Sequence, residues 1–178
     1  RALADDPAQD RALGQLMDLM QSQKRYEELA DRIRAQLEHL DEEQTRVRAI
    51  LLTRLSAIQR EHLGQEERGV LALRDAFDLD PACRETGRML VDGLMSSDRF
   101  GDALDVCERM LEKDCICFDA LTRLVLVLEE LGQKTRAAMV AQVPAYFGVQ
   151  DDRSSRLASV LRKSRGQDIL AACGQLRA

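Results

Sequence analysis

The sequence predicts an all-α fold made of repeated helix pairs. Composition, the spacing of apolar residues and a recurrence along the chain each support this class. Of 178 residues, 45% are hydrophobic and 32% charged, which is enough to bury a core. The chain has only four Phe, two Tyr, three Pro and no Trp. Leu, Ala, Arg, Glu and Gln are abundant, and these side chains favour helices over sheets.

Amphipathic helices are indicated by apolar residues that recur three and four positions apart. The clearest stretches are Leu13, Leu16, Met17 and Met20, then Leu29, Ile33 and Leu37, and later Leu104, Cys107, Met110 and Leu111. Each stretch places its apolar side chains on one stripe of a helix. We therefore expect each helix to bury one face against a neighbouring helix.

Turn-forming residues separate these helices at regular places, around 22–24, 62–65, 96–98 and 131–133. Gly64 and Gly132 suit the left-handed backbone conformation that ends a helix. The sequence therefore predicts helix pairs at about 8–40, 42–78, 82–113 and 116–147. Two shorter helices are expected after Asp151.

The stretch "ALRDAFDLDP" marks the junction between two such pairs. Asp accepts backbone N–H groups as an N-cap, and Pro is preorganised for the first helical position. We therefore expect Asp80 and Pro81 to start a helix and pass the chain to another pair. A second helix of similar character then leads to Cys115. The step from Pro81 to Cys115 is about 34 residues, a period typical of helical-repeat proteins.

The spacing, together with "LGQEERGVLALRDAFDLDP", "DRFGDALDVCERMLEKD" and "LVLVLEELGQKTRAA", resembles the tetratricopeptide repeat over about residues 10–147. Three positions and one insertion depart from the family pattern. Leu29 stands where a small residue is expected, and about six extra residues precede the second unit. Cys115 replaces the terminal Pro, and Pro144 falls inside the last second helix. The matching residues are Ala57, Gly69, Ala76, Pro81, Leu90, Leu94, Phe100, Ala103, Leu121, Leu124, Gly132 and Ala137.

The resemblance implies a right-handed α-solenoid in which antiparallel helix pairs stack into one domain covering 1–178. Its units are expected at about 8–43, 44–81, 82–115 and 116–150, with 151–178 forming capping helices or a partial repeat. A single pair cannot bury its apolar stripe alone, so stacking makes the core and leaves one extended surface. The first helices of the units are expected to line a concave groove for a partner peptide, helix or domain.

The family's groove positions fall on both charged and apolar residues of this chain. Three of them are Arg, whose guanidinium groups either bind carboxylates of a partner or form salt bridges with neighbouring repeats. Both alternatives stay open from the sequence. The chain has no Asn, so the Lys and Asn set with which some family members bind a C-terminal carboxylate is missing. The predicted groove residues are Arg54, Ile58, Arg88, Asp92, Met95, Arg123, Leu126 and Glu129.

The overall charge favours protein partners over nucleic acid or membrane surfaces. The formal net charge is −5 and the pI is about 5.2. Binding to nucleic acid or to an anionic membrane surface requires clustered Lys and Arg, which this charge balance does not favour. From Asp151 onward the balance reverses, with six basic residues against three acidic ones, which favours a solvated terminal face over a small contact patch. Five unevenly spaced Cys favour a reducing, cytoplasmic location. The start at Arg1 suggests a fragment of a larger protein.

No pattern in the chain is typical of a cofactor site, a metal site or a catalytic centre. Cys107, Cys115 and Cys117 lack the paired spacing of a zinc site. His39 and His62 have no nucleophile or acid at a motif spacing, and no phosphate-binding glycine loop occurs. We therefore expect no enzyme activity and no cofactor.

The sequence thus predicts a non-catalytic protein-interaction module, a scaffold or adaptor within a larger protein. One alternative is self-association into a homo-oligomer through the ends of the repeat array. A second is RNA binding by helical repeats, which the acidic balance and scarce aromatic residues oppose.

Overall fold

A computed structural model describes residues 24–147, and every regular element in that range is helical. No helix among these residues is long and apolar enough to cross a membrane. The all-α prediction is confirmed, and the helix bounds agree with the predicted pairs to within a few residues. The helices are α1 (Tyr26–His39), α2 (Thr45–Glu61), α3 (Glu66–Leu79), α4 (Arg84–Ser96), α5 (Phe100–Lys113), α6 (Phe118–Glu130), α7 (Lys134–Val140) and α8 (Gln142–Tyr146).

The chain divides into two compact units, Arg1–Thr86 and Gly87–Ala178, and the division falls inside α4. In the first unit α1 packs on α2, and α2 packs on α3. In the second unit α6 packs on α5, α7 and α8. The first half of the predicted first pair and the predicted helices after Asp151 lie outside the described residues.

The turn within each pair contains one residue in the left-handed conformation. These residues are Lys24 (φ 55°), Gly64 (φ 62°), Asp98 (φ 55°) and Gly132 (φ 73°). The last three are equally spaced along the chain, so the same turn recurs once per repeat. The carbonyl of the next residue then accepts the first hydrogen bond of a helix, as when the Ala137 amide donates to the Gln133 oxygen at 2.9 Å. The predicted turns at 62–65, 96–98 and 131–133 are therefore confirmed, whereas most of the one at 22–24 lies outside the described residues.

The junction at Asp80 differs from the prediction that Asp80 and Pro81 start a helix. The Asp80 amide donates to the Ala76 carbonyl at 3.1 Å, so Asp80 ends α3. Its Oδ1 accepts a hydrogen bond from the Ala82 amide at 3.2 Å, and its carbonyl accepts one from Cys83 at 3.2 Å. The carboxylate is therefore used inside the turn, and α4 begins only at Arg84. The N-cap prediction is wrong, although the chain does pass to another helix pair.

The next junction repeats this turn without a proline. The Asp114 amide donates to Met110 at 3.0 Å, and Oδ1 of Asp114 accepts from the Ile116 amide at 3.2 Å. The Asp114 carbonyl accepts from Cys117 at 3.0 Å, which closes the turn before α6. The Asp side chain is common to both junctions, whereas Pro81 has Cys115 as its counterpart. This explains how the repeat tolerates a missing terminal Pro.

Apolar side chains, most of them aliphatic, form the core of each unit. In the first unit, Leu29, Ile33, Leu51, Leu55 and Ile58 form a buried cluster between α1 and α2. Each large aliphatic side chain stabilises the fold by about 1.5–3 kcal/mol when it is fully buried. In the second unit the fully buried large side chains include Leu90, Leu94, Val125, Val127 and Leu128.

Pro144 explains why the last second helix is short. Pro lacks an amide hydrogen and its ring collides with the carbonyl four residues earlier, which here belongs to Val140. α7 ends at Val140, and the chain continues in the separate five-residue helix α8. The predicted departure at Pro144 therefore has a structural consequence, since it divides one helix into two.

Candidate functional site

Six of the predicted groove residues lie on two helices of the second unit, α4 and α6. We call this surface the α4–α6 face. Arg88, Asp92 and Met95 follow one another at helical spacing on α4, and Arg123, Leu126 and Glu129 do so on α6. All six side chains are half-buried. They are therefore held by packing while part of each side chain still meets solvent.

Arg123 and Asp92 are joined by a bidentate ion pair. Nε of Arg123 donates to Oδ1 of Asp92 at 2.8 Å, and Nη2 donates to Oδ2 at 2.9 Å. Nη1 also donates to the Asp119 carbonyl at 3.3 Å. The Arg123 side chain is only 17% exposed, against 44% for Asp92. For Arg123 the structure thus supports pairing with a neighbouring repeat over binding of a partner's carboxylate.

Arg88 differs from Arg123 because its guanidinium forms no hydrogen bond or ion pair within residues 24–147. Asp92 lies four residues further along α4, but both of its oxygens are bound by Arg123. A half-buried cation therefore lies beside a carboxylate that is already neutralised. Such a cation is suited to a carboxylate from outside the unit.

Arg54 and Ile58, the predicted groove residues of the first unit, have different environments. Ile58 is 8% exposed and belongs to the buried α1–α2 cluster, so the structure places it in the core. Arg54 is exposed on α2, and its side chain already takes part in a polar or electrostatic interaction within the described residues. The sequence could not separate these cases, because both positions follow the same repeat register.

The thiol of Cys107, on α5, is fully buried in the second unit. Burial raises the pKa of this thiol to about 12, while the nearby charges of Arg123 and Asp92 lower and raise it respectively. A thiol held neutral in this way is a poor nucleophile and a poor metal ligand. No group of three or more metal-binding side chains occurs in the part of the chain that the structure describes.

The two His residues have packing or surface positions. His62 follows α2 and stacks on Tyr26, with ring centroids 3.8 Å apart and ring planes 12° apart. His39 is exposed in the last turn of α1. Neither position brings an imidazole to a nucleophile in the described contacts.

The first unit contains a cleft of about 440 Å³, and Arg54 is the only predicted groove residue among those that line it. We call it the α2 cleft. The sequence gives one indication of this cleft, because about six extra residues precede the second repeat and the cleft is lined partly by the start of α2. The lining residues are Arg46, Ala49, Ile50, Thr53, Arg54, Asp80, Cys83, Glu85 and Thr86.

Comparison with solved structures gives consistent matches to helical-repeat proteins. A crystal structure of MamA protein matches with a TM-score of 0.66 and 15% identity, over 88% of this chain and 82% of that chain. A tetratricopeptide repeat protein from Parabacteroides merdae matches with a TM-score of 0.70 and 16% identity, over 88% of this chain and 60% of that chain.

A shorter match has a bound peptide. It is the first tetratricopeptide domain of Spaghetti (RPAP3) bound to the HSP90 peptide SRMEEVD, with a TM-score of 0.55 and 12% identity. That match covers 66% of this chain and 98% of the other. No protein-family model and no curated protein sequence matches the chain. The predicted resemblance is thus confirmed at the level of structure: this chain has the tetratricopeptide-repeat fold.

Proposed function

We propose that this chain is a non-catalytic protein-interaction module, a scaffold or adaptor within a larger protein. It binds a peptide or helix of a partner protein through the α4–α6 face. The observation that supports this proposal is Arg88, a half-buried cation without a hydrogen bond or ion pair in residues 24–147. Met95 and Leu126 are half-buried apolar residues of the same face.

The ion pair between Arg123 and Asp92 prepares this face for binding. It links α6 to α4 before any partner arrives, so less conformational freedom is lost on association. A carboxylate of the partner binds Arg88, and an apolar side chain packs on Met95 or Leu126. The peptide-bound tetratricopeptide structure gives a precedent for peptide recognition on this fold. The proposal includes no nucleic acid, no membrane and no cofactor.

The proposal is tested by affinity capture from a lysate of the source organism, with proteins identified by mass spectrometry. The baits are the wild-type chain, the Arg88→Glu variant, and Arg32→Glu as a control with the same change of charge. Arg32 is exposed on α1 and lies in the other unit. A captured protein is then purified and titrated against all three.

We expect Arg88→Glu to weaken binding of the purified partner by at least about tenfold, which corresponds to about 1.4 kcal/mol. Arg32→Glu is expected to bind like the wild type. Equal affinity for all three baits would exclude the α4–α6 face as the binding surface, and so would an equal loss in both variants.

A second candidate function is self-association, which exposed aromatic residues in α8 and just after it favour. Tyr146 is 86% exposed, and its ring lies 5.4 Å from that of Phe147. Exposed aromatic clusters are typical of protein interfaces. Light scattering over a concentration series tests this alternative. A dimer that dissociates on Tyr146→Glu would favour it, whereas a monomer at all concentrations would exclude it.

A further inference from the structure

The first helix of the second repeat is longer than its counterparts. α2 has 17 residues, whereas α4 and α6 have 13 each. In α4 and α6, the first residue of the helix lies the same number of positions before the left-handed turn residue that follows the helix. In α2 this separation is larger by more than one helical turn. The additional turn is therefore at the amino end of α2, at residues 45–49. Two residues of this turn, Arg46 and Ala49, line the α2 cleft.

The floor of the α2 cleft is a chain of hydrogen-bonded side chains. Oγ1 of Thr86 lies 3.2 Å from Sγ of Cys83 and 3.2 Å from Oγ1 of Thr53. Thr53 in turn donates to the Ala49 carbonyl at 2.9 Å. These polar atoms already have partners, so a polar ligand would gain little by replacing them. An apolar side chain can therefore pack there without leaving these polar atoms unsatisfied.

The two walls of the cleft carry opposite charges. Arg46 on α2 and Glu85 on α4 both line the cleft and are both exposed, and neither forms a hydrogen bond or ion pair in the described part of the chain. Ile50, one helical turn after Arg46, is 47% exposed at the same cleft. An exposed aliphatic side chain thus lies in a cleft with a cation on one wall and an anion on the other.

We propose that the α2 cleft is a second docking site, which binds a segment of a partner protein with an aliphatic side chain between an acidic and a basic residue. The aliphatic side chain packs on Ile50 above the hydrogen-bonded floor. The acidic residue binds Arg46, and the basic residue binds Glu85. The volume is within the range of natural ligand sites. Glu85 and Thr86 of the cleft belong to α4, which also carries part of the α4–α6 face, but the two sites share no residue and are tested with different variants.

The test uses the whole chain and three synthetic peptides in NMR titrations. The mixed-charge probe is acetyl-Glu-Gly-Leu-Gly-Lys-amide, and the other two probes carry two Glu or two Lys at the same ends. We expect the mixed-charge probe to shift the Ile50 methyl signals and the amides of Thr53 and Thr86 saturably, with a Kd of about 1 mM. A mixed-charge probe with Gly in place of Leu is expected to give no saturable shift.

Charge variants provide the decisive comparison. Glu85→Arg should change the preference of the cleft to the two-Glu probe, and Arg46→Glu should change it to the two-Lys probe, each by at least about fivefold. Both positions are exposed, so the variants are expected to fold, which circular dichroism checks.

Three results would overturn the inference. They are an absence of saturable shifts at Ile50, Thr53 and Thr86, an unchanged probe preference in both charge variants, and a dimer that dissociates on Ile50→Glu. The last result would assign the cleft to a second copy of this chain.

Discussion

Arg123 on α6 binds Asp92 on α4 through two hydrogen bonds, Nε to Oδ1 at 2.8 Å and Nη2 to Oδ2 at 2.9 Å. The two residues are 31 positions apart, so the pair joins one repeat to the next. We predict that Arg123→Ala lowers the free energy of unfolding by about 1–2 kcal/mol, because both hydrogen bonds to Asp92 are lost. The effect is not larger, because Asp92 is partly exposed and solvent screens the pair.

Urea denaturation of Arg123→Ala, Asp92→Ala and the double variant measures the coupling energy between the two side chains. The exposed pair between Arg136 and Glu108 is the control, and its loss should change stability by less than about 0.5 kcal/mol. A coupling energy between Arg123 and Asp92 no larger than that of the control pair would contradict the prediction.

The thiol of Cys107 makes stability depend on alkaline pH. Its pKa is raised from 9.0 to about 12 on folding, mainly by burial. Between these values the unfolded chain has lost the thiol proton and the folded chain retains it, so stability falls as pH rises. This group should contribute a slope of about −1.4 kcal/mol per pH unit in that window.

The measurement is the difference in unfolding free energy between the wild type and Cys107→Ala at several pH values above 9. The difference should shrink as pH rises. Cys115→Ser is the control for the removal of a thiol, because Cys115 is exposed and lies outside the buried core. A pH-independent difference for Cys107→Ala would contradict the assigned pKa.

Gly87 in α4 lies against Met110 of α5. A Cβ atom at Gly87 would come within 2.6 Å of the Met110 sulfur and 2.9 Å of its methyl carbon. Because Met is flexible, we expect Gly87→Ala to cost about 1–2 kcal/mol in thermal or urea unfolding. Gly101 in α5 has open space around its Cβ position, so Gly101→Ala should be neutral or stabilising by up to about 1 kcal/mol. Equal effects of both substitutions would refute the close approach.

The left-handed turn residues give a paired prediction of opposite sign. Gly132 has open space but a φ of 73°, so Gly132→Ala should cost about 1 kcal/mol through backbone strain alone. Asp98 has a φ of 55° at the equivalent turn, and Asp98→Gly should be neutral or slightly stabilising. Calorimetry of the two variants measures both signs. A stabilising Gly132→Ala would show that the turn tolerates a side chain.

Features with local causes could be predicted from the sequence. The turns at Gly64 and Gly132 and the helix pairs around them follow from glycine conformation and apolar periodicity, which act over a few residues. The role of Asp80 was missed because one side chain type can cap a helix or fold into a turn. Only the position of Ala82 and Cys83 decides between these uses.

The candidate site required three-dimensional information. The repeat register placed Arg88 and Arg123 in equivalent roles, yet within residues 24–147 only Arg123 of the two forms an ion pair. Likewise Ile58 occupies a groove register but packs in the α1–α2 cluster. The additional helical turn of α2 supplies two of the residues that line the α2 cleft, and the sequence indicated this turn only as a longer spacing before the second repeat.

The packing of each helix on its sequence neighbours also bears on how the chain folds. α1 with α2, α2 with α3, α5 with α6 and α6 with α7 are all consecutive pairs, joined by short turns. A low contact order of this kind requires only small loops to close before apolar burial begins, and helical domains with this property fold in about microseconds to milliseconds. The short turns that define the repeat therefore also limit how far the chain must search, which shortens the time during which unfolded apolar helix faces are open to aggregation.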